Sequence, residues 1–151
     1  MNSFEADFQQ KITDDKNATL TYKGHIQAKK PQYALWEYKE PVEKSIYITS
    51  RKVTIIEPEL EQVIIKYISS DFDFFSMMQH AKKIDENSYL AHFKEVKYKI
   101  NVKDGEIISI SYRDEFDNSV TILFTNQVKN RTLKKELFEP KIPLDFDIIQ
   151  G

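Results

Sequence analysis

The run Leu20–Ala28 constrains this chain more than any other stretch. Leu20, Tyr22, Gly24, Ile26 and Ala28 share one parity, and Thr21, Lys23, His25 and Gln27 share the other. Residues two apart fall on one face only when the backbone is extended, so the run is a strand with an apolar side and a polar side. Such a strand must join a sheet that buries one face. The inward parity ends on Lys30, a charge at the rim, and Pro31 breaks the ladder.

The same period recurs along the chain. Phe4, Ala6 and Phe8 open a strand that runs to Lys11 and ends at the turn Asp14-Asp15-Lys16-Asn17. Tyr33–Tyr38 carries Trp36, and Lys44–Thr49 carries Ile46 and Ile48. Lys52–Ile56 and Gln62–Ile68 follow, with Ile55, Val63 and Ile65 assigned to the inner face. Later strands are expected at Ser88–Phe93, Glu95–Lys103, Glu106–Arg113, Ser119–Asn126 and Leu133–Glu139, with Asp104-Gly105 as a two-residue hairpin turn. No repeat or linker divides residues 1–151. The expectation is one mainly β domain, a single antiparallel meander of about eleven strands. Accumulated strand twist must curl so wide a sheet into a barrel or an unclosed barrel.

One stretch has a helical period. In Ser70–Lys83, Phe74, Met77, Met78 and Ala81 fall at i, i+3, i+4 and i+7, and Ser70 with Asp73 reads as a capping box. A short helix with this apolar face must lie against the concave side of the sheet. It is either a fixed plug over a packed interior or a movable lid, and paired Met side chains suit a lid because they repack around varied shapes. The apolar side of so many strands exceeds what one short helix covers. Either side chains fill it, or part of it is kept for an apolar ligand.

Much chemistry is excluded. With net charge −2 and pI about 6.0, no basic field points to nucleic acid. No apolar run is long enough to cross a membrane, and the chain as given opens on a strand-like pattern rather than a secretion leader. Cys is absent, Gly numbers 3, and His25, His80 and His92 have no ligand spacing, so no cofactor or metal is expected. No nucleophile motif or phosphate loop occurs, and the Glu57/Glu59/Glu61 and Asp114/Glu115/Asp117 carboxylates sit in turns, so an enzyme is not expected. Lys97, Lys99 and Lys103, and the group Lys129, Arg131, Lys134 and Lys135, read as solubilising charge, with transient membrane contact at most.

Several stretches together resemble the LolA family of periplasmic lipoprotein carriers. Ser3-Phe4-Glu5-Ala6-Asp7-Phe8-Gln9-Gln10 resembles its opening strand. Gly24-His25-Ile26-Gln27-Ala28-Lys29-Lys30-Pro31, then Trp36 and Pro41, resembles its central signature, and Phe138-Glu139-Pro140 to Asp147-Ile148-Ile149 resembles its ending. The resemblance implies an unclosed barrel under a helical lid, with a cavity that takes the acyl chains of lipoproteins. Leu20, Tyr22, Ile26, Trp36, Ile46, Ile48, Ile55, Val63 and Ile65 would line that cavity. Phe74, Phe75, Met77 and Met78 would form the lid. It also implies a periplasmic location through a leader outside this chain, an N-terminal helix also outside it, and no bond chemistry. The partners it implies are acylated lipoproteins, an inner-membrane ABC-type releasing complex and an outer-membrane acceptor. An envelope lipid sensor or acceptor, and a lipid-modifying enzyme, are the alternative readings. Where the family has an Arg before its Pro, reaching to the lid, this chain has Lys30, whose ammonium lacks the planar fork of donors.

Overall fold

Alternation is converted into strands almost wherever it occurs. The structure, a computed structural model, describes residues 1–68 and 74–151, and of Phe74 the backbone alone. In chain order the elements are β1 (Ser3–Thr13), β2 (Thr19–Lys29), β3 (Tyr33–Glu40), β4 (Lys44–Thr49), β5 (Lys52–Glu57), β6 (Gln62–Tyr67), α1 (Phe74–His80), β7 (Lys82–Asp85), β8 (Ser88–Phe93), β9 (Val96–Lys103), β10 (Glu106–Arg113), β11 (Ser119–Lys129) and β12 (Asp147–Gln150). The capping box assigned to Ser70 and Asp73 lies outside the described residues.

All of these strands join one 12-stranded sheet in the order β12-β6-β5-β4-β3-β2-β1-β11-β10-β9-β8-β7. Two hairpin meanders, β1 to β6 and β7 to β11, are fused by the long antiparallel pairing of β1 with β11. This places β6 and β7, consecutive strands in the chain, on opposite sides of the sheet. Residues 68–81 join them, and even drawn out, with α1 helical, they reach only about 40 Å. In a flat sheet the intervening strand spacings of about 4.8 Å would hold β6 and β7 about 48 Å apart. The sheet therefore has to curl, with α1 on the segment that crosses the opening.

The structure corrects several sequence expectations. There are 12 strands, not eleven. Leu133–Glu139 is not a strand but holds a 3-10 turn, Lys135–Phe138. The helix stops at His80, and Lys82–Asp85 turns back as the edge strand β7. The sheet is not wholly antiparallel, because β12 adds to β6 in parallel, Ile148 beside Val63. Nor is it a single meander, because the strand order breaks between β6 and β7.

Residues opposed across an antiparallel ladder share a face, so the register sorts the core into two layers. On the concave side, Phe4, Ala6, Phe8, Ile26, Ala28, Ala34, Ile100, Ile110, Ile122 and Phe124 form one buried cluster that also contains Phe75 and Met77 of α1. On the convex side, the segment after β11 lies across β3 and β4, burying Leu133 and Phe138 against Leu35, Tyr33 and Tyr47. That strap is tied down by Lys29 Nζ donating to the Leu133 carbonyl at 2.7 Å and by Arg131 paired with buried Glu5 at 2.7 Å. Gly24 permits the tight crossing of β1, β2 and β3. A Cβ there would sit 2.0 Å from the Glu37 carbonyl oxygen and 2.8 Å from Phe8 Cζ.

Candidate functional site

The concave face forms a trough, and ladder register shows which side chains floor it. One cross-strand row runs Ile26, Trp36, Ile46, Ile55 and then Ile64. A second, nearer the β2–β3 turn, runs Phe4, Ala28, Ala34, Ile48 and Val53. Trp36 is also braced edge-on by Phe8, with ring centroids 5.3 Å apart. Of the residues assigned to the cavity, Ile26, Trp36, Ile46, Ile48 and Ile55 thus stand together on this face.

Val63 and Ile65 do not. Ile55 is opposed by Ile64, while Val63 pairs with Ile56 and Ile65 with Thr54, all on the convex side. Val63-Ile64-Ile65 is a continuous apolar run, so composition alone gives it no parity, and only the β5–β6 register decides which residue faces in. Leu20 has the inward parity but stands at the far end of β2, opposite Ile12, and is 59% exposed. It marks an uncovered rim rather than an enclosed wall.

The lid occupies the end of the trough near the β2–β3 turn. Phe75 and Met77 are buried in the concave cluster, Met78 and Ala81 pack partly against it, and the Phe74 side chain lies outside the described residues. Lys30 holds its Nζ over the Phe75 ring, 5.9 Å from the centroid. The rim cation therefore meets the lid through an aromatic face. Beside α1 remains a pocket of about 360 Å³, lined by Met78, Ala81, Tyr89, Ile100, Val102 and Gly105. Strand side chains, with Phe75 and Met77 of α1, pack much of the concave face, and this pocket is open space beside them.

Tyr22, assigned to the cavity, stands at the opposite end of the same face, an end whose polar character sequence reasoning missed. Tyr22, Tyr38, Tyr98 and Tyr112 line it, with Tyr22 and Tyr38 rings 5.8 Å apart and Tyr98 and Tyr112 rings 4.8 Å apart. The Tyr38 hydroxyl donates to buried Gln10 Oε1 at 2.7 Å. Lys44 lies over both rings of the first pair, 4.6 Å from Tyr38 and 5.8 Å from Tyr22. Burial pushes the Tyr112 hydroxyl up to about 12 and the Tyr38 hydroxyl up as well, so both remain proton donors at neutral pH. The signal was present in the sequence. Lys44 shares parity with Ile46 and Ile48, and a cation on an apolar parity raises the question of what it faces.

Among the described residues no group of three or more His, Asp or Glu could hold a metal ion. The one buried carboxylate among them, Glu5, is on the convex face with Gln27 and Arg131. In the ladder the neighbours of Trp36 are Ile26 and Ile46, and neither is the carboxylate that a lipid-modifying enzyme would place beside it.

Comparison with known proteins agrees with this architecture. A solved protein of Thermus thermophilus described as an uncharacterized conserved protein superposes with TM-score 0.60 over 99% of this chain and 91% of its own, at 11% identity. A LolA superfamily protein from Nitrosomonas europaea does so with TM-score 0.58 over 92% and 90%, at 12% identity. The family model described as outer membrane lipoprotein carrier protein LolA matches residues 1–73. Among curated proteins, the outer-membrane lipoprotein carrier protein of Campylobacter jejuni is 39% identical over 99% of this chain and 87% of its own length. That of Wolinella succinogenes is 36% identical over 91% and 81%. On sequence similarity to these curated carriers across almost its whole length, the chain belongs to the LolA family of outer-membrane lipoprotein carrier proteins.

Proposed function

We propose that this chain is a periplasmic chaperone that ferries acylated lipoproteins, sheltering their acyl chains along the concave trough in place of the side chains of α1. The observation that carries the reading is the cover itself. An apolar face spread over most of a 12-stranded sheet is closed by a helix of 7 residues whose Phe75 and Met77 are buried in it. Burying those two side chains stabilises the closed form by about 3–6 kcal/mol. An acyl chain of about a dozen methylenes contributes about 10 kcal/mol when it leaves water. A chain that would otherwise face water therefore holds the helix displaced, and the helix reseals the trough once cargo departs. The pocket of about 360 Å³ beside α1 cannot hold a whole multi-chain anchor, which is why loading requires lid movement.

No bond is made or broken in this cycle. Transfer between two apolar hosts is nearly neutral, so direction comes from the donors and acceptors: an inner-membrane ABC-type complex that spends ATP to release lipoproteins, and an outer-membrane acceptor that takes them. Trp36, Ile26, Ile46, Ile48 and Ile55 line the acyl path, Phe75, Met77 and Met78 act as the lid, and Lys30 serves as its rim contact.

The test uses the absence of native cysteine. Met78 and Tyr89 line the same pocket from α1 and β8, so Met78→Cys with Tyr89→Cys allows a short thiol cross-link. The expected result is loss of fluorescent acyl-lipid uptake in the linked form and recovery with a reducible linker once it is cleaved. Undiminished uptake by the linked form overturns the displacement mechanism.

A further inference from the structure

The trough is apolar for most of its length but ends in oxygen- and nitrogen-bearing side chains, and an acyl path alone gives no reason for them. Lys44 is half-buried on the concave parity of β4, opposed across the ladder by Tyr38. Its ammonium rests on the Tyr22 and Tyr38 rings, and among the described residues no carboxylate forms an ion pair with it. An ammonium resting on ring faces with no anionic partner keeps donor capacity to spare, and it gains from an oxygen acceptor delivered to it. Across the floor, Gln10 Oε1 accepts a hydrogen bond from the Tyr38 hydroxyl at 2.7 Å, and Tyr112 continues the belt to its ring contact with Tyr98. These groups are donors or bridges between donors. The described residues place no buried acid on this face.

Position gives the belt its meaning. It lies beyond the Ile26–Trp36–Ile46 row, away from Phe75 and its Lys30 contact, and just inside the open rim marked by Leu20. A lipid whose tails run inward toward the lid would leave its first polar atoms at this level. We propose that Lys44, with Tyr22, Tyr38, Gln10 and Tyr112, forms a polar subsite that holds the ester carbonyl oxygens joining paired acyl chains to their glyceryl head. This rests on the carrier reading and adds to it. The tails provide affinity without regard to chemistry, while the belt fixes how deep they sit and distinguishes acyl esters from plain hydrocarbon.

The test compares a synthetic diacylglyceryl-cysteine peptide with its dialkyl ether counterpart, which has the same tails and no ester carbonyls. Wild-type protein is expected to bind the ester form about tenfold more tightly, the effect of one hydrogen bond to a charged donor. Lys44→Met should erase that preference while leaving ether-lipid affinity nearly unchanged, and Lys44→Arg should keep it. Equal affinities in the wild type, or a preference that survives Lys44→Met, would overturn the subsite and leave the carrier reading standing. Failure of wild type to bind either probe would overturn both. A diacyl phosphatidyl lipid serves as a third probe. If it binds more tightly than the lipopeptide, and through Lys44, the assignment to esters is wrong in favour of phosphate.

Discussion

At the scale of single residues, Lys30 shows how a rim charge can meet a helix through a ring face. Its ammonium lies over Phe75, and an exposed contact of this kind stabilises by about 0.5–1 kcal/mol. Lys30→Met should therefore loosen the lid by about two- to fivefold, read as faster hydrogen exchange of the Phe75–His80 amides and faster acyl uptake. Lys30→Arg should not, because a guanidinium stacks on a ring at least as well. Unchanged exchange in Lys30→Met would mean that the contact holds nothing. The position of Lys30 at the end of the apolar parity was legible from the sequence, but its partner was not. Which face of α1 turns toward the sheet depends on where the helix is anchored, and the periodicity singled out Phe74 together with Met77 and Met78. Val63 and Ile65 failed for a related reason: three consecutive apolar residues satisfy both parities, and only the neighbouring strand chooses between them.

At the scale of elements, the strands with clean alternation were readable and the stretch after β11 was misread. Leu133–Glu139 has enough apolar residues to suggest a strand, yet it crosses the convex face instead of pairing along it. Its Leu133 and Phe138 drop into a patch made by Leu35, Tyr33 and Tyr47. Nothing local in the sequence announces a strap whose partners lie nearly a hundred residues earlier. Phe138 is 0% exposed and stacks at 5.7 Å on Tyr33, so it anchors the strap. Phe138→Ala is expected to cost about 3–5 kcal/mol, measured by chemical denaturation. It should also release β12 from β6, seen as new protease cleavage between residues 139 and 146. A loss below about 1 kcal/mol would show that the strap is not a stability element. β7 was missed because Lys82 and Lys83 extend a helical pattern just as well. Both lysines are exposed on this edge strand, where charge discourages pairing with another molecule.

At the scale of the whole molecule, curvature sets the chemistry of the interior. Tyr38 and Tyr112 belong to β3 and β10, with β2, β1 and β11 between them, yet each is half-buried and Tyr112 opposes ionisation of Tyr38. Burial, the largest cause, raises Tyr112 from its ordinary 10.0 to about 12. A hydroxyl kept neutral by the fold contributes stability that is complete below pH 10 and is lost as pH rises through about 12. Ultraviolet titration of the folded protein should therefore leave part of the tyrosine absorbance change unreached at pH 11, and denaturant should bring it in near pH 10. Full titration of all 8 tyrosines by pH 11 in the folded protein would contradict an inward-facing belt. The interruption in strand order between β6 and β7 has a mechanical consequence of its own. A hydrogen-bonded ring has a fixed circumference, and widening it means tearing a seam. Among the described residues no backbone bonds join the two margins, so the girth can grow or shrink by small changes of twist shared among many strands. On the proposed carrier reading, cargoes of different thickness would be accommodated elastically, with every existing ladder left intact.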